Sequence, residues 1–269
     1  MDNRAIACFD SGIGGLSIWQ AIHSLLPHES LIYLADSSDF PYGDRQPAEL
    51  QAITARVVQF LRTQQVKLVV VACNTASVVA LHSLRARFPD LPLVGVVPVI
   101  KMLAHESRTG VLGLLSTQAT ANSPYLRDLI REFAEDKEVI SIGCPGLAEL
   151  IERGEAGGPE MDALLRDLLI PVQACGADVL GLSCTHYPFA RKAISRIVGP
   201  EVRILDPSYP VARRVAYLLS QACAEASPDP PSLRFLTTGN PDTLASVAGK
   251  LLNLPAIKAM SVDLAMPAL

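Results

Sequence analysis

Short, continuously apolar runs recur along the chain, and each gives way to a stretch in which apolar positions return with a helical period. The runs are AIACF (5–9), SLIYLA (30–35), LVVVA (68–72), LVGVV (93–97), GVLGLL (110–115), EVISI (138–142), VLGLS (179–183), VRILD (202–206) and RFLTT (234–238). Helical patterns fill 47–64, 75–87, 124–135, 159–175, 190–198 and 208–224. A run that does not alternate predicts a strand buried on both faces. Strands alternating with helices predict an α/β architecture with parallel sheet. SPDPP (227–231) is a loop signal, and no low-complexity tract interrupts the pattern.

Within this pattern lies a repeat. The first half carries a strand ending in Asp10 and Ser11, then VVVACNTAS with Cys73. The second carries a strand ending in Ser116 and Thr117, then VLGLSCTHYP with Cys184. Asp10 and Cys73 are 63 positions apart, Thr117 and Cys184 67. Each half therefore reads as one α/β unit of the same design. Ligands of open α/β sheets sit outside the carboxyl ends of the strands, where both cysteines fall.

Composition adds limits to this picture. The chain has 269 residues, 49% hydrophobic and 19% charged, which suits one large or two moderate globular domains. The net charge of −4 comes with no basic cluster interleaved with aromatics, so nucleic-acid binding is not expected. No run reaches transmembrane length, and MDNRAIACFDSG lacks the apolar core of a secretory signal, so a cytoplasmic protein away from the membrane is expected. The six cysteines contain no C-x-x-C pair, which supports neither a disulfide framework nor a structural zinc site.

The strand ends A-C-N-T and S-C-T-H each offer a thiol, side-chain donors and the backbone N–H groups of a helix start. Such helix starts attract carboxylates and lower the pKa of a nearby thiol. Two thiols on opposite faces of one carbon suit racemisation or epimerisation: one removes a proton, the other returns one to the far side. The α-proton of an amino acid is a very weak acid, so donors must stabilise charge developing in the transition state. Asn74, Thr75, Thr185 and His186 are placed for that role. A single free cysteine is usually a small buried hydrophobe. That reading serves for Cys8, Cys144, Cys175 and Cys223, whereas matching polar turns after Cys73 and Cys184 favour chemistry.

FDSGIGGLS (9–17), YLADSSDFPYG (33–43), VVACNTAS (70–77), GCPGLAELIERG (143–154), CTHYP (184–188) and TTGNP (237–241) resemble the glutamate racemases. These are bacterial enzymes that make D-glutamate for peptidoglycan, and so for the cell wall and cell shape, without a cofactor. The resemblance runs from about residue 5 to residue 241. It implies two pseudo-symmetric, doubly wound parallel-sheet domains with the active site in the cleft between them. The first would comprise 1–97 plus 206–269, the second 98–205. It implies that Cys73 takes the proton from D-glutamate and Cys184 from L-glutamate, assisted by Asp10, Glu152 and His186. Substrate contacts are implied at Asp10, Ser11, Tyr42, Gly43, Asn74, Thr75, Thr185 and His186, with the loop containing Pro41 over the substrate. A homodimer with no cofactor and no metal is the associated expectation. Two departures stand out: Ser183 where the family commonly has Gly, with a narrower pocket expected, and LDPS (205–208) in place of the usual (D/N)-S-(G/A).

Other features allow plainer readings. GIGG (12–15) lacks the full dinucleotide fingerprint and reads as a tight strand-to-helix turn. Asp10 is either a helix cap or a site residue, its place in the repeat favouring the site, while Thr117 and Thr120 are caps or substrate contacts. Glu152 alone would be an ordinary surface carboxylate. His186, two residues past Cys184, favours a site role over a buried packing histidine. Competing functions are an aspartate or hydantoin racemase, a zinc hydrolase using Cys73, Cys184 and His186, and a module that binds an acidic amino acid unchanged. A pyridoxal phosphate enzyme is disfavoured, because no lysine sits at a strand end beside a Gly-rich phosphate loop.

Overall fold

The computed structural model describes residues 1–254 and 256–264. The chain divides into two compact units, one of Met1–Val96 with Ser208–Leu269 and one of Val97–Pro207.

The first unit opens with β1 (Ile6–Asp10), α1 (Leu16–Leu25), β2 (Leu31–Ala35), α2 (Pro47–Thr63), β3 (Leu68–Val71), α3 (Asn74–Arg87) and β4 (Leu93–Gly95). The second holds α4 (Ile100–Glu106), β5 (Val111–Ser116), α5 (Gln118–Ala121), α6 (Pro124–Phe133), β6 (Glu138–Gly143), α7 (Leu147–Glu152), α8 (Pro159–Ala174), β7 (Val179–Ser183), α9 (Arg191–Val198) and β8 (Arg203–Leu205). The chain then completes the first unit with α10 (Ser208–Gln221), β9 (Leu233–Thr237), α11 (Pro241–Leu252) and β10 (Ala259–Ser261).

Strand order makes the duplication explicit. The sheet of the first unit runs β10-β9-β2-β1-β3-β4, and that of the second β6-β5-β7-β8, all pairs parallel. The segment β2-β1-β3-β4 thus has the same winding as β6-β5-β7-β8. In each, the chain turns outward in opposite directions from a central pair, which creates a crevice at the carboxyl ends of β1 and β3, or of β5 and β7.

The registers put equivalent residues at the crevice of each unit. Phe9 pairs with Val71, so Asp10 lies opposite Ala72 and Cys73 follows by one residue. Ser116 pairs with Ser183, and Cys184 follows by one residue. The structural counterpart of Asp10 is therefore Ser116, one position earlier than the sequence interval to Thr117 suggests.

Buried β1, β2 and β3 are continuously apolar up to Asp10, as strands covered on both faces must be. Phe9, Leu34, Val69 and Val71 pack with Leu61, Ala80 and Leu84 of the flanking helices. In the second unit Leu112, Leu114 and Val179 pack with Leu103 and Leu126.

At the opposite, amino ends of the strands, each unit is closed by a buried charge just before its third strand. In the first unit Lys67 Nζ lies 2.6 Å from Glu29 Oε2 and donates to the Asp2 and Ala224 carbonyls at 2.6 and 2.7 Å. In the second, the Asp178 carboxylate accepts from Ser107 Oγ (2.6 Å), Arg108 N (2.6 Å), Thr109 N (3.3 Å) and Thr109 Oγ1 (3.0 Å). Burial pushes the Asp178 carboxyl up, but these bonds outweigh it and hold it at about 2. A carboxyl lowered on folding stabilises the fold above its unfolded pKa, and that contribution vanishes as pH falls through the folded value. Asp178→Asn should therefore lose about 2 kcal/mol at neutral pH. Denaturant melts at pH 7 and pH 2 check this, the parent approaching the variant's stability at the lower pH.

Candidate active site

In the first unit the crevice is built by three loops. Cys73 is the N-cap of α3, with extended backbone (φ −134°, ψ 125°), so its side chain stands where the first-turn N–H groups point and the helix dipole favours negative charge. Asn74 and Thr75 open the helix behind it, both buried. The Asn74 amide has neither its Oδ1 nor its Nδ2 hydrogen-bonded, although the residue is only 2% exposed. A buried amide is costly to leave unpaired, so this group calls for a polar ligand.

The second loop is GIGG. Asp10 is fully buried, and its Oδ1 accepts from Ser11 N at 2.7 Å and lies 3.3 Å from Ser11 Oγ. The turn is held from β2 by the Tyr33 hydroxyl, which donates to the Gly12 carbonyl at 2.5 Å. Gly15 permits the close approach to β3, because a Cβ there would lie 2.9 Å from Ala72 Cβ and 3.0 Å from Asp10 Cβ. The third loop carries cis Pro41, Tyr42 and Gly43. Tyr42 is buried in the cluster that contains Cys73, and its hydroxyl donates to Asp36 Oδ2 at 2.7 Å. Burial, followed by the Asp36 charge, lifts the Tyr42 phenol well above its ordinary value.

In the second unit Cys184, Thr185 and His186 follow β7 directly, all buried. His186 Nδ1 lies 3.7 Å from Cys184 Sγ, and Nε2 lies 2.8 Å from Glu152 Oε2 at the end of α7. Burial pulls the imidazole toward its neutral form, but the sulfur on one side and the carboxylate on the other outweigh it and hold its pKa well above the histidine norm. This is a thiol–imidazole–carboxylate line that can hold or move a proton at Cys184. Position 75 of the first unit, the counterpart of 186, is threonine, so the line has no equivalent there.

Thr117 takes the capping role at α5: its Oγ1 accepts from Thr120 N at 3.3 Å and lies 3.1 Å from Thr120 Oγ1. Ser183 is fully buried, and its Oγ accepts from Val99 N at 3.4 Å. Asp36 and Thr238, joined to each other and, through Asp36, to Tyr42 by hydrogen bonds, are not evident from strand-end spacing. Their motifs, YLADSSDFPYG and TTGNP, were the only signal. Among the described residues no group of three or more His, Cys, Asp or Glu side chains is arranged to hold a metal ion, and no helix is long and apolar enough to cross a membrane.

The duplicated 2-1-3-4 winding with a thiol at each crevice can be set against known proteins. The Asp/Glu/Hydantoin racemase family model matches residues 16–213. The chain belongs to this racemase family. Among individual relatives, a glutamate racemase from a Roseiflexus species is 44% identical over 250 residues, 92% of either chain. One from Pseudomonas aeruginosa is 38% identical over 92% of this chain and 93% of its own. A glutamate racemase isoform from Bacillus anthracis superposes with a TM-score of 0.87 at 30% identity, covering 98% of both racemase chains. Another, from Francisella tularensis in complex with D-glutamate, gives 0.85 at 30% identity, covering 98% and 99%. An aspartate racemase from Picrophilus torridus shares the fold alone, at 16% identity.

Proposed function

We propose that this racemase interconverts L- and D-glutamate through two thiols, Cys73 and Cys184, and supplies D-glutamate for peptidoglycan synthesis. The observation that carries the reading is the equivalent placement of the two thiols, each one residue beyond the end of the central strand pair of its unit. Relatives at 38–44% identity over most of the chain are glutamate racemases, and the Francisella tularensis enzyme holds D-glutamate.

In this scheme both thiols act on the same α-carbon. With D-glutamate, the Cys73 thiolate takes the α-proton, and Cys184 gives its thiol proton to the other face of the planar intermediate. Cys73 is left as thiol and Cys184 as thiolate, and exchange with solvent restores the starting state. From L-glutamate the roles reverse. Glu152 and His186 stabilise the Cys184 thiolate, and Asp10 assists at Cys73. Asn74, Thr75, Ser11, Thr185 and the Pro41–Gly43 loop hold the substrate, with Thr117 and Thr120 bordering the second crevice. The enzyme is read as a cytoplasmic homodimer.

Incubation in D₂O with glutamate, aspartate and a hydantoin tests the reading. Both glutamate enantiomers should invert and acquire α-deuterium, and aspartate, one methylene shorter, should react about 10- to 200-fold more slowly. Glutamate recovered with its α-hydrogen unexchanged would overturn the proposal.

A further inference from the structure

Asp36 directly follows β2 in the YLADSSDFPYG motif and is fully buried. Both oxygens of its carboxylate are engaged. Oδ2 accepts from the Tyr42 hydroxyl at 2.7 Å, and Oδ1 accepts from Thr238 Oγ1 at 2.9 Å. Thr238 Oγ1 in turn accepts from Ser38 N at 3.0 Å and Ser38 Oγ at 2.9 Å. Next to it, Ser37 Oγ and Thr237 Oγ1 lie 3.3 Å apart. Gly239 lets the TTG turn come this close, since a Cβ there would lie 2.8 Å from Ser37 Cβ. Two motifs from opposite ends of the chain thus meet on one carboxylate.

A carboxylate is expensive to bury, and a packing role at this position would be served better by an apolar residue. What the carboxylate provides is direction: it fixes the phenol of Tyr42, the residue that joins cis Pro41 to Gly43. Tyr42 also packs in the buried cluster that contains Cys73, which places the clamp at the carboxyl end of the strands in this unit.

We propose that Asp36 is a positioning residue for the substrate-binding loop, acting through Tyr42, with Thr238 as its second anchor. The inference rests on the glutamate reading for its kinetic consequence but not for its structural one. Asp36→Asn and Tyr42→Phe should each raise KM for glutamate about tenfold and change kcat less, because loop placement serves substrate binding rather than proton transfer. The double variant should resemble either single one, since both remove the same contact. Thr238→Ser should keep the parental KM, and Thr238→Val should raise it.

Amide hydrogen exchange of 37–45 supplies a readout independent of turnover: exchange there should quicken about tenfold in Asp36→Asn while β1 and β3 stay protected. Unchanged exchange in folded Asp36→Asn, or additive effects on KM in the double variant, would overturn the proposal. A parent that does not racemise glutamate would sink the functional reading, and the exchange result would still decide the clamp.

Discussion

Cys184→Ala is expected to lose racemisation in both directions by about 10³-fold or more, and Cys73→Ala to do the same. Each inversion needs both groups, one to take a proton and one to give it. The two variants should nonetheless differ in isotope exchange. With Cys184 removed, the Cys73 thiolate still reaches the α-proton of D-glutamate, so D-glutamate should take up deuterium from D₂O without inverting, and L-glutamate should not. With Cys73 removed, the preference should switch to L-glutamate. Exchange followed by NMR, with configuration read by chiral chromatography, checks both statements. Racemisation retained above a trace by both variants would rule out the two-thiol scheme. Equal exchange of both enantiomers by either variant would show that the thiols are not confined to opposite faces.

Lys67→Met should produce a large stability loss in the first unit. The Lys67 and Glu29 side chains are 1% and 3% exposed, and Lys67 also satisfies the Asp2 and Ala224 carbonyls. Removing the cation leaves a buried carboxylate and two carbonyls without their donor, a loss of about 3–5 kcal/mol. In a unit of this size that corresponds to a melting temperature lower by on the order of 10 °C. Glu29→Gln added to Lys67→Met should restore part of the loss, because the stranded charge is gone. Glu29 Oε1 also accepts from Ala226 N, a contact that glutamine keeps. Fluorescence of Trp19, the single tryptophan and buried in this unit, follows the transition directly. A change under about 1 kcal/mol in Lys67→Met would show that water reaches the site and compensates it.

The fold was legible because burial leaves so strong a mark on parallel strands. LVVVA and VLGLS are continuously apolar since both faces of their sheets are covered, and no helix period competes with so short a run. Strand β10 (Ala259–Ser261) was not evident, because an edge strand of three partly exposed residues has no two-sided burial to record. The predicted ends of α6 and α10 ran two or three residues long, since periodicity continues past the last hydrogen-bonded turn.

Of the candidate site, the equivalent strand-end placement of Cys73 and Cys184 was readable from repetition alone. Their supporting groups were less so. Glu152 lies 34 residues from His186, and the two meet only because α7 packs against the turn that follows β7. Asp36 and Thr238 are 202 residues apart, and neither stands at an interval that the repeat would flag. Spacing finds groups at matching strand ends more readily than partners brought together by distant parts of the chain.

The discontinuous first unit has a consequence for how the chain is made. Residues 97–207 form a contiguous body whose four strands all emerge from the ribosome in one stretch. The first unit enters earlier but cannot finish earlier: one flank of β2 pairs with β9, so the N-terminal sheet carries an open edge throughout synthesis of the second unit. An unpaired apolar edge is a template for mispairing. The half of the protein that is translated first is therefore the half that must be sheltered longest.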